Sequence, residues 1–251
     1  TTGCDNVAIG RLALGAGVTT GEDNVAIGAT AGDAITSGSF NVAIGFDSLS
    51  SATDNCDNIA IGRSALAASV NDGDDNIAIG RAAMGGADVA GADNIAVGAN
   101  AMDALTSGAC NIALGINALG VATDNCENIA IGNAALAASA NDGDFNIAIG
   151  CGAMGGADVS GASNIAIGRV AGDALTSGAC NTGVGHGALG AVNSGSRNVA
   201  IGMDAGAGVT TQDCTVNIGP DANQTTATVV CITGSCVMAA QFTATSDCRS
   251  K

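Results

Sequence analysis

The sequence predicts an all-β fold, a parallel β-solenoid (β-helix or β-roll) of about 13 coils, and three observations carry that prediction. First, a short phrase of the form N-[VI]-A-[IVL]-G returns, with one variant copy, from Asn6 to Gly202. Second, its copies are spaced by 17 or 18 residues, and four successive spacings total a 70-residue superrepeat; NDGDDNIAIG at 71–80 returns as NDGDFNIAIG at 141–150. Third, the chain carries 39 Gly and four Phe but no Trp or Tyr. Compact cores draw much of their buried area from aromatic rings, so this interior is narrow and aliphatic. Self-similarity at a fixed short period is the mark of a stacked repeat architecture.

Each element of the coil follows in order from its Asn anchor. The anchors are Asn6, Asn24, Asn41, Asn58, Asn76, Asn94, Asn111, Asn128, Asn146, Asn164, Asn181 and Asn198. Stacked coils bring these side chains into one column, which either forms an amide ladder or serves each turn separately. One residue on stands Val or Ile (Thr182 excepted), and three on stands Ile, Val or Leu. Alternate positions of a strand share a face. Between them stands Ala in all copies but one, Gly183, and the fourth position is Gly throughout. Both faces of the strand therefore read as crowded. Branched aliphatics fill one, and the Ala face is expected to meet a neighbouring copy of the chain. The seventh position is small and the eighth is usually Leu or Met. The rest of each coil (TTGED, TSGSF, TDNCD, NDGDD) is rich in residues that supply positive φ and local hydrogen bonds. At about 4.8 Å per coil the stack predicts a rod of roughly 60 Å. The repeat shaft is assigned to residues 1–223 and a C-terminal β-strand segment to 224–251. The opening at Thr1 in mid-pattern predicts a fragment or a processed product.

The repeat, with its T-T-G and T-S-G turns, resembles the β-helical shafts of viral tail fibres and fibre-like surface proteins. It resembles more loosely the heads of trimeric autotransporter adhesins. The closing stretch QFTATSDCRSK resembles the entry to an endosialidase-type intramolecular chaperone domain, with Ser250 where that phrase carries Leu. The resemblance implies a homotrimer on a virion surface or otherwise extracellular, and a single self-cleavage between Thr245 and Ser246, with Asp247, Arg249 and Lys251 completing the phrase. The function it implies is structural: a fibre shaft supporting host attachment, with a host receptor or glycan as a further partner. The alternative is a secreted or cell-surface solenoid adhesin or filament protein without catalytic activity.

Charge and motif content narrow the remaining classes. The formal net charge is −16, from seven basic and 23 acidic residues, a field that opposes nucleic-acid binding. No run of 18 apolar residues appears, so no membrane insertion is expected. No recurrent acid–base pair and no aromatic sugar platform point to an enzyme. The turn column Thr36, Thr53, Val70, Asp88, Thr106, Thr123 is interrupted, which argues against an ice-binding ladder. No cofactor is expected beyond calcium, for which Asp72, Asp74, Asp75, Asp142 and Asp144 are the candidate ligands; solvated turns are the alternative. Among ten cysteines, Cys110 and Cys126 fall on adjacent coils in nearly the same column, within reach of a disulfide. Cys231 and Cys236 are expected to close a hairpin or to pair between subunits. The alternative for all of them is small buried side chains. His186, the sole histidine, is expected at a surface corner.

Overall fold

A computed structural model of the chain describes residues 3–15, 19–69, 73–140 and 143–223, together with the backbone of 230–232. Its strands are β1 (Val7–Ile9), β2 (Val25–Ile27), β3 (Val42–Ile44), β4 (Ile59–Ile61), β5 (Ile77–Ile79), β6 (Ile95–Val97), β7 (Ile112–Leu114), β8 (Ile129–Ile131), β9 (Ile147–Ile149), β10 (Ile165–Ile167), β11 (Thr182–Val184), β12 (Val199–Ile201), β13 (Val216–Ile218) and β14 (Val230–Ile232). All pair in sequence order as one parallel sheet. Register is kept residue for residue: Ala8 lies on Ala26, Ala26 on Ala43, and Ala60 on Ala78. Twelve complete turns separate β1 from β13, and the described residues contain no helix. The solenoid expected from the repeat is therefore the fold.

The packing inverts one expectation. The Ala at the centre of each strand points into the coil, not toward a neighbour: Ala60, Ala78, Ala96, Ala113, Ala130 and Ala148 are all 0% exposed. The flanking Val and Ile point outward and are half-buried or exposed. The physical reason is room. A coil of 17–18 residues has to hold the strand side chain, the buried Asn and a facing wall, which leaves space for a methyl group at the strand; in β13, where Thr215 replaces the anchor, Asn217 takes the inward place and is buried. The facing wall supplies the bulk through Leu49, Leu66, Met84, Met102, Leu119, Leu136 and Met154. A further inner column runs through Ile35, Val89, Leu105, Val159, Leu175, Val192 and Val209.

Glycine at the fourth position is required by the stack. Gly62 and Gly80 sit at φ +133° and +139°, and a Cβ at either would strike the carbonyl of the glycine one coil on. Residues preceding the anchors, such as Asp57 and Asp75, take the left-handed conformation at φ near +60°, which Asp tolerates better than most residues. Leu66, Met84 and Leu136 share it at φ 48–49°. For such side chains this conformation is strained, and burial of a large apolar group in the core opposes the cost.

Candidate functional site: buried ladder and outward face

The twelve anchors form a continuous amide ladder. From Asn24 onward each backbone N–H donates to the Oδ1 of the preceding anchor at 2.8–3.1 Å. Each Nδ2 donates to the carbonyl three residues before the next anchor, at 2.7–3.0 Å, from Asn6 with Gly21 to Asn198 with Gln212. One side-chain amide thus closes its own coil through Nδ2 and accepts the N–H of the next coil through Oδ1. Asn24 to Asn198 are buried, so these bonds form where water does not compete. The ladder ends at Thr215, whose N–H and hydroxyl both donate to Asn198 Oδ1 at 2.9 and 2.8 Å.

The other residues singled out in the sequence are not gathered into one centre. Asp74 Oδ1 accepts the Cys56 N–H at 2.7 Å and Asp144 Oδ1 accepts the Cys126 N–H at 2.8 Å. These two carboxylates cap backbone in the preceding coil, while Asp75 faces solvent. Among the described residues no three His, Cys, Asp or Glu side chains converge as a metal site. Asp72, Asp142, Cys236, Ser246 and Asp247 lie outside the described residues, as does the side chain of Cys231.

Cys110 and Cys126, the disulfide candidates, stand unbonded on adjacent coils, Cys110 exposed and Cys126 half-buried. Cys110 directly precedes its anchor, whereas Cys126 stands two before its own. Cys126 therefore stacks under Ala109, whose N–H points at its sulfur at 3.4 Å, while Cys110 sits one position on in the left-handed conformation. His186 is exposed, as expected. Arg169 Nη2 stands 2.8 Å from its Nε2, and its Nδ1 lies 3.6 Å from Asp204 Oδ1. Cys4 donates to Glu22 at 3.3 Å. That hydrogen bond, the Glu22 charge and the neighbouring acids Asp5 and Asp23 push its thiol above the ordinary range.

What the geometry does assemble is an outward surface that takes in the branched aliphatics on the strand face opposite the Ala. The outward columns begin one residue before the anchor and continue at the first, third and fifth residues after it. Of the twelve large hydrophobic side chains exposed among the described residues, ten stand in these columns: Val7, Ile9, Phe40, Phe46, Ile79, Ile116, Phe145, Ile167, Ile201 and Met203. Monomeric proteins seldom leave so long an apolar strip uncovered. The signal was present in the alternation itself, and the error lay in which half of it faced in. No helix among the described residues is long and apolar enough to cross a membrane. No protein-family model matches the chain, and no curated protein matches it.

Proposed function

We propose that the chain is a structural shaft segment of a fibre, carried on a virion as a tail or surface fibre, and that it supports host attachment without catalysing a reaction. In this reading it works outside the cell as a homotrimer, with a host receptor or glycan engaged by the assembled fibre. One observation carries the proposal: a single continuous parallel sheet repeats one inward ladder and one outward apolar strip along its whole length. An element that bears load and associates sideways needs such repetition, because each coil then contributes the same contacts at every level. The outward strip supports association of copies, replacing the Ala face in that role.

Light scattering coupled to gel filtration tests the assembly, with electron microscopy of the same fractions testing the shape. The expected mass is three times that of the 23.7 kDa chain, and the expected particles are rods roughly 60 Å long. Single-chain mass at about 100 μM would overturn the fibre reading.

A further inference from the structure

The two outer columns of the outward strip carry opposite charge between their apolar members. The column just before the anchors carries Asp5, Asp23, Asp57, Asp75, Asp93 and Glu127, with Arg197 its one basic residue. The column five residues after the anchors carries Arg11, Arg63, Arg81, Arg169 and His186 and no acid. Only five Arg and no Lys fall among the described residues, so four of the five stand on this one edge. Asp57, Asp75, Arg63 and Arg81 are exposed. The described ion pairs are His186 with Asp204 and Arg197 with Asp213, so none joins one edge to the other.

We infer that this face docks against a second copy of the same chain lying parallel and level with it, the acidic edge of one copy meeting the basic edge of the next. The inference rests on the reading of the chain as a self-assembling rod and adds the polarity of that assembly. Turning a copy about the long axis exchanges left and right, so parallel neighbours bring unlike edges together. At equal height this sets Asp5 beside Arg11, Asp57 beside Arg63, and Asp75 beside Arg81, and it sets Phe40 beside Phe46. Antiparallel neighbours bring like edges together, with Arg63 level with Arg169 and Asp93 level with Glu127. A closed ring of identical rods also excludes a vertical offset, since an offset generates an open helix.

The area suffices for such a contact. Thirteen rungs of about 4.8 Å and strands of about 10 Å give roughly 600 Å² per copy, which a closed trimer buries as about 1,800 Å² in all. Apolar contact supplies the attraction, and the edge charges select orientation, the usual division of labour at interfaces.

The test compares three variants with the wild-type chain by sedimentation at about 50 mM and 500 mM salt: Arg63→Asp/Arg81→Asp, Asp57→Arg/Asp75→Arg, and all four together. Far-UV circular dichroism controls for folding. Each double variant is expected to weaken assembly about tenfold at low salt, the four-fold exchange to restore it, and high salt to shrink the difference. A wild-type chain that stays monomeric would sink the assembly reading itself. An assembling wild type whose affinity is unchanged or raised by Arg63→Asp/Arg81→Asp, or a four-fold exchange that fails to rescue, would sink the parallel arrangement alone.

Discussion

Removing one rung of the amide ladder tests the stacking directly, and Asn94 is the position of choice. Its side chain is wholly buried in the middle of the rod. Its Oδ1 accepts the Asn111 N–H and Nδ2, both at 3.0 Å, and its Nδ2 donates to Gly108 O at 2.9 Å. Asn94→Ala strips the partners from a buried N–H and a buried carbonyl on two different coils. A typical hydrogen bond contributes about 1 kcal/mol net, but each buried group left unpaired costs about 1–3 kcal/mol. Two orphans therefore predict a loss of about 2–6 kcal/mol. Because coils stack in one dimension, the damage concentrates between the coils of Asn94 and Asn111, and a two-state fit is not assured. The assay is urea unfolding combined with native-state hydrogen exchange. Exchange at the Asn111 amide should accelerate far more than at Asn41. Asn6→Ala, on the half-buried first rung, should cost less. A loss below about 0.5 kcal/mol for Asn94→Ala, or uniform acceleration along the rod, would refute the ladder as the element that joins coils.

Three further outcomes follow from the same geometry. Ala78→Val should destabilise by about 1–3 kcal/mol through overpacking, whereas Ile79→Ser, one residue on and facing out, should cost under about 1 kcal/mol; thermal melts of both variants check which face is inside. Gly80→Ala should lower the melting temperature because its φ of +139° and the Gly98 carbonyl leave no place for a Cβ, with a cost of at least about 1–3 kcal/mol. Cys4 should alkylate more slowly at pH 8 than the exposed Cys214. Its raised pKa keeps it protonated as pH climbs, and Glu22→Gln should speed the reaction; equal rates in mass-spectrometric trapping would contradict the Glu22 contact.

The candidate sites divide along the same physical line. The anchor ladder was legible because stacking forces identical residues into one column, and a column of Asn has few ways to satisfy its amides when buried. The two disulfide candidates stand one position out of register. Cys110 and Cys126 lie 16 residues apart where the coil needs 17, and that one residue moves the second thiol into another column. The acidic turns look alike in sequence, yet Asp74 caps a backbone N–H while Asp75 faces solvent, a difference set by local backbone turns.

Periodicity alone determined the architecture, because a 17–18-residue repeat with Gly at one fixed place and Asn at another can stack only in parallel and in register. It also determined which positions share a face. It did not determine which face is the inside, since Ala and Ile are both apolar and alternation is symmetric between the two sides of a strand. Only the tertiary structure decided that, through the width of the coil: with a Leu or Met wall and a buried amide already in place, the strand has room for a methyl group and the larger side chains turn outward.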